Sequence, residues 1–344
     1  MKKLFVLFAG IILSASYSTV HTQNQRNNDP FITRTFPAAS IKEVESSTTG
    51  GSLSLTGDAG SEASVEVYVS RDNWSKEKIK QTLNDNYTLD IKVEGGKLIA
   101  VAKHKKDDFT WNEQGLSISF KINAPKKVNS NLQTSGGSIH IRNLSGSQNF
   151  KTSGGSLSVE NVSGNTIGLT SGGSISVTGA KDNINLSTSG GSISAKDCNG
   201  KINLTTSGGS LNLNNLAGDI TAKTSGGSIS ATDIKGSLKT GTSGGSIRLS
   251  GISGNLEAST SGGSFDVKII SVSEYVKLSN SWNIRLTLPA GKGYNLNVKA
   301  SKIETSGLKD FHGTMESSNI QGTVGTGGAD INLKSSQRIS LSFE

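Results

Sequence analysis

In the middle of this chain, apolar and polar residues alternate in pairs of short runs, and the pattern returns every 18 residues. In the stretch that begins at Thr206, Leu211 and Leu213 form one period-two run. Leu216 follows after a break, and Ile220 with Ala222 forms a second run. The next stretches repeat this with Ile229, Ala231, Ile234 and Leu238, then Ile247, Leu249, Ile252, Leu256 and Ala258. Alternation by two predicts strands with one buried face. Two such runs are too short to enclose a core, so each must stack on identical neighbours. A Thr-Ser-Gly-Gly-Ser tag marks the period, starting at Thr134, Thr152, Thr170, Thr188, Thr206, Thr224, Thr242 and Thr260 without an insertion.

The breaks carry corner chemistry. Asn143, Asn161, Asp197, Asn215 and Asp233 share one row with Gly179 and Gly251. Gly146, Gly164, Gly200, Gly218, Gly236 and Gly254 stand three residues later. These residue types tolerate the positive φ of a tight corner. The Gly-Gly pair is read as the opposite corner, so valine at Gly208 or Gly209 is expected to disrupt it. The expected fold is all-β: a single-stranded β-solenoid with 18-residue coils. At ~3.3 Å per residue and ~4.8 Å between coils, its perimeter is roughly 60 Å and eight coils span about 38 Å. The threonines are expected to point inward. Ile167 and Leu169 are shifted by one relative to Ile184 and Leu186. A β-bulge would return them to the core, and the pattern alone does not decide.

Outside the array (134–277) the regularity fades. Residues 27–133 read as an N-terminal cap, since open repeat ends must be covered. Within it, 49–60 is one more coil, separated from the array by an insertion. Segments 64–69, 89–101 and 116–122 alternate as strands, and 75–86 reads as a short helix with Ser75 as N-cap and Ile79 and Leu83 on one face. Residues 278–344 form C-terminal coils and a cap: a strand over 282–288, then a last degenerate coil from 326–333 and 339–343. The whole reads as one continuous solenoid with elaborated ends.

Composition agrees with a thin core: 42 glycines and 33% hydrophobic residues, where globular domains carry nearer half. Residues 1–22 read as a secretory signal peptide, with Lys2 and Lys3 before an apolar run over 4–13 that is too short to span a bilayer. The mature protein is expected in the periplasm, at the cell surface or secreted, with no transmembrane segment. Its formal charge of +8 falls to about +6 without those two lysines, which favours anionic envelope partners. Cys198 is the single cysteine, so no intramolecular disulfide forms, and it occupies a core position as a small hydrophobe.

The pattern TSGGSIxIxxxxGxIxLxTSGGSI, following a strand-rich segment that ends at Pro125, resembles the bacterial exported putative-adhesin family of unknown function. The resemblance covers roughly residues 30–344. It implies a β-solenoid in the cell envelope and brings no catalytic residues with it.

Candidate chemistry is sparse. The outward row Arg142, Glu160, Thr178, Lys196, Asn214, Thr232, Ser250 and Lys268 puts no two carboxylates on neighbouring coils, whereas glycoside hydrolysis needs such a pair. No Gly-Gly-x-Gly-x-Asp calcium repeat is present. His21, His104, His140 and His312 lack ligand spacing. Neither a cofactor nor a metal is expected, and the protein is read as non-enzymatic. Ice binding would need two outward threonine columns, and these threonines point inward. Phe150 and Phe265 fall at core positions. Trp74, Trp111 and Trp282 lie in the end regions, either as a ligand site or as plugs that seal the core ends. The mild basic patch over 71–127, with Lys103, Lys105 and Lys106 beside His104, equally fits a solvated face. Nucleic acid is not an expected partner. An envelope or host polysaccharide, or another surface protein, is. The function expected is that of an adhesin or scaffold, with a carbohydrate-binding or carbohydrate-processing β-helix protein as the alternative.

Overall fold

A computed structural model describes residues 29–105 and 115–344. The signal-like segment and Trp111 lie outside the described residues. The described residues are all-β with one α-helix, Lys76–Asn86, and their strands join in one solenoid-like sheet. Parallel partners in the array are 18 residues apart: Ile193 faces Leu211, which faces Ile229, which faces Ile247. A second ladder runs through Ile184, Ile202, Ile220, Leu238 and Leu256 in the same register. Identical rows therefore stack, and their apolar members join one buried core that runs from Ala38 to Phe343.

The eight repeat threonines are all buried. Thr206 shows why. Its Oγ1 donates to the Gly191 carbonyl of the coil before it (2.7 Å) and accepts the Gly209 N–H of its own turn (3.3 Å). Thr170, Thr188, Thr224, Thr242 and Thr260 repeat the pair of bonds. One hydroxyl thus satisfies a carbonyl and an N–H that would otherwise be orphaned at the turn.

The asparagine row adopts the left-handed region: Asn143, Asn161, Asp197, Asn215 and Asp233 have φ between 51° and 58°. Asp182, which stands in the row of glycines, does so too at 76°, and its carboxylate accepts the Gly164 N–H at 2.9 Å. The Gly-Gly pair lies at the opposite bend, as expected, but without the left-handed region. None of its glycines has positive φ. The second glycine is required by contact: a Cβ on Gly209 would stand 2.1 Å from the Gly191 carbonyl oxygen, while one on Gly208 would stand 3.3 Å from that of Gly190.

No bulge rescues Ile167 and Leu169. The register runs unbroken, with Thr166 opposite Ile184 and Gly168 opposite Leu186. Ile167 and Leu169 are therefore left 40% and 41% exposed. The Phe150 ring fills the space over Gly168, where an added Cβ would come within 2.4 Å of it. One large residue is accommodated by having none in the next coil. Thr166, inward in that coil, is fully buried and its hydroxyl has no partner.

Both ends depart from a continuous winding. Strands Glu43–Ser47 and Leu53–Thr56 stack on Asn129–Gln133 and Ile139–Arg142 of the array. Their other edges hold Lys97–His104 and Ser117–Asn123, which come later in sequence. At the far end Ala329–Ser335 and Arg338–Phe343 pair with Phe265–Asn280 and Ile284–Leu288, and on their other sides with Tyr294–Lys299 and Lys302–Ser306. The expected last coil is thus threaded between earlier ones, and antiparallel strands close the outside. The helix begins at the Ser75 cap, whose Oγ accepts the Lys78 N–H, and it buries Leu83.

Candidate functional site

Three outward columns run along the strands that follow each Ser-Gly-Gly-Ser. Ser210, Ser228, Ser246 and Ser264 form one, stitched along its length by Oγ atoms that accept backbone N–H groups. Ser210 N–H bonds Ser192 Oγ at 3.1 Å, and Ser264 N–H bonds Ser246 Oγ at 3.3 Å. The register continues this column into Asn283 and Arg338. The neighbouring column reads Asn212, Ser230, Arg248, Asp266, Arg285 and Ser340. Between the two lies an open groove of about 510 Å³, floored by the edges of Ile229, Ile247, Phe265 and Ile284.

Charge gathers at the C-terminal end of this groove. Arg248 Nε lies 3.9 Å from the Asp266 carboxylate, and Arg338 Nε lies 3.9 Å from Glu304. Such long, exposed pairs contribute little, ~0–1 kcal/mol. Arg285, between Asp266 and Ser340, has neither an ion pair nor a side-chain hydrogen bond among the described residues. Three guanidinium groups and the Asp266 carboxylate line the groove, and Glu304 follows Ser340 in the same column, beside Arg338.

Trp74 and Trp282 are not brought together. Trp74 sits just before the helix Lys76–Asn86, half-buried, with Lys78 Nζ 4.1 Å and the Arg71 guanidinium 5.9 Å from the ring centre. Near it is a cavity of about 430 Å³ bordered by Arg71, Tyr87, His104 and Leu116. Tyr87 meets His104 edge to face at 5.0 Å, and its hydroxyl accepts the Leu116 N–H at 2.9 Å. Trp282 lies at the other end of the stack, 53% exposed at the corner before Asn283, and its carbonyl accepts the Ser335 hydroxyl. Sequence reasoning missed the arginine groove, because Arg338 joins Arg248 and Arg285 only once Arg338–Phe343 threads into the stack.

The outward row from Arg142 to Lys268 assembles as read, with Arg142 beside Glu160 and Ser250 beside Lys268. Among the described residues no three His, Cys, Asp or Glu side chains converge as a metal cluster would. Cys198 is buried, its Sγ donates to the Lys196 carbonyl at 3.1 Å, and burial pushes the thiol pKa up, which keeps it protonated and unreactive. Among the described residues no helix is long and apolar enough to cross a membrane.

A solenoid-like β-stack with polar outward ladders defines a class of repeat protein. Within that class, the family model described as Toastrack DUF4097, a domain of unknown function, matches residues 170–337, just under half of the chain. No curated protein matches the chain. Among solved structures, a putative cell adhesion protein from Clostridium sporogenes is 10% identical, with TM-score 0.20, over 92% of this chain and all of that one. A putative lipid binding protein from Parabacteroides distasonis is 17% identical, with TM-score 0.30, over 92% and 97%. A putative adhesin from Bacteroides fragilis is 11% identical, with TM-score 0.27, over 91% and 96%.

Proposed function

We propose that this is a non-catalytic, exported cell-envelope protein that presents a rigid single-stranded β-solenoid of 18-residue coils as an adhesin or scaffold. Export rests on the sequence of residues 1–22, and the division into a cap (27–133), an array (134–277) and a C-terminal cap (278–344) on the repeat boundaries. The observation that carries the reading is how the repeat spends its residues. Threonines, paired glycines and the asparagine row are consumed in building coils, which leaves varied polar side chains on the outer face. Parallel ladders with every turn bonded to the next resist bending, and a stiff support keeps exposed groups in fixed spacing for a partner.

The test is binding of the signal-free chain to whole bacterial and host cells, with a glycan array alongside. Saturable binding to a cell surface, without turnover of any bound glycan, is the expected result. Cleavage of a bound glycan, or no binding to either surface, overturns the reading.

A further inference from the structure

We infer that the groove at the C-terminal end of the stack binds an extended acidic polysaccharide, one whose sugars carry carboxylate or sulfate groups. The inference rests on the surface-binding reading above and names the ligand class for it. The groove follows the stack axis from Ser210 to Ser340, six coils or roughly 24 Å at ~4.8 Å per coil. That length suits a run of several sugars. Its wall presents Arg248, Arg285 and Arg338 with one lining carboxylate, Asp266, and Glu304 next in the column beyond Ser340. Guanidinium groups bind carboxylate and sulfate oxygens through paired N–H bonds. Arg285 has no ion pair or side-chain hydrogen bond among the described residues, and the acid partners of the other two stand 3.9 Å away, so an incoming anion displaces little.

The serine column supplies the rest. Ser210 and Ser246 each use the Oγ lone pair to accept the N–H of the next coil (3.2 and 3.3 Å). Their hydroxyl protons remain available to donate to sugar oxygens. A neutral glycan has no use for three arginines. The arginines follow one line along the stack, which matches a linear polyanion rather than the two-dimensional charge of a lipid surface.

The test is isothermal titration of the signal-free chain with polygalacturonate and with chondroitin sulfate. Dextran and vesicles rich in phosphatidylserine serve as comparisons. Expected are binding of an acidic glycan that weakens as salt rises, none to dextran, about a tenfold weaker affinity for Arg285→Ala, partial recovery in Arg285→Lys, and no change in Thr178→Ala, which lies off the groove. Thermal unfolding of the Arg285 variants, exposed as this residue is, should match that of the parent chain. Equal affinity of Arg285→Ala and the parent, absence of acidic-glycan binding, or preference for the vesicles each overturns the inference. Loss of glycan binding with whole-cell binding intact would refute this groove and leave the adhesive reading standing. Glycan binding without cell binding would do the reverse.

Discussion

Replacing Gly209 with alanine separates two explanations of the Gly-Gly pair. If the pair only turned a corner, Gly208 and Gly209 would be equally sensitive. The structure makes them unequal. A Cβ on Gly209 meets the Gly191 carbonyl oxygen at 2.1 Å, so relieving it to a bare 3.0 Å parts the two coils by 0.9 Å (3.0 minus 2.1). That same oxygen accepts the Thr206 hydroxyl at 2.7 Å, and the displacement takes the bond out to about 3.6 Å, beyond hydrogen-bonding range. Loss of a buried hydrogen bond costs ~1–3 kcal/mol, and overpacking adds ~1–3 kcal/mol. The expected destabilisation is therefore about 2–6 kcal/mol. At Gly208 the added carbon lies 3.3 Å from the nearest oxygen. The lost freedom of the unfolded chain there offsets part of the crowding, and Gly208→Ala is expected within ~1 kcal/mol of the parent. Urea unfolding measures both. Amide exchange over residues 188–242 tests whether the loss is local, as a stack of nearest-neighbour contacts requires. Equal tolerance at the two positions would refute the contact explanation.

The same substitution in two threonines should act with opposite sign. Thr206→Val orphans a carbonyl and an N–H and is expected to cost ~1–3 kcal/mol, whereas Thr166→Val removes a buried hydroxyl that has no partner and is expected to be neutral or to stabilise by ~1 kcal/mol; urea midpoints decide. Gly168→Ala should destabilise by ~1–3 kcal/mol through its clash with Phe150, and Phe150→Leu in the same chain should recover part of that loss in a double-mutant cycle. Glu66 is held below its ordinary pKa, first by the Tyr68 hydroxyl and then by Lys121. Its stabilising effect is present above the unfolded carboxylate pKa and lost as pH falls through the folded one. Glu66→Gln should therefore lower the midpoint at pH 7 and converge on the parent in acid.

The repeat was legible because its cause is local. Alternation by two, a buried threonine and an asparagine at a left-handed corner each follow from side-chain chemistry within one coil. The Lys76–Asn86 helix was legible for the same reason, through Ser75 and Leu83. What escaped depends on contacts between coils. The need for Gly209 lies in a carbonyl of the preceding coil. Whether Ile167 faces inward is settled by Phe150 below it, and Asp182 could join the glycine row only because its own carboxylate caps Gly164. Threading of Ala329–Ser335 and Arg338–Phe343 depends on which edge stays open after Tyr294–Lys299 leaves the stack, and no alternation pattern encodes that. That threading adds Arg338 and Ser340 to the arginine groove. The tryptophans stood out by rarity, yet the structure sets Trp74 and Trp282 at opposite ends.

Rigid presentation is the claim on which the functional reading stands, and a distance measures it. Glu160 and Lys268 lie in one outward column, six coils apart through Thr178, Lys196, Asn214, Thr232 and Ser250. At ~4.8 Å per coil their backbones stand about 29 Å apart. Spin labels on Glu160→Cys and Lys268→Cys, with Cys198 shielded in the core, should give by pulsed dipolar spectroscopy one narrow distribution centred near that value after allowance for the label arms. A broad distribution, or a centre beyond about 40 Å where six stacked coils cannot reach, would contradict the stack.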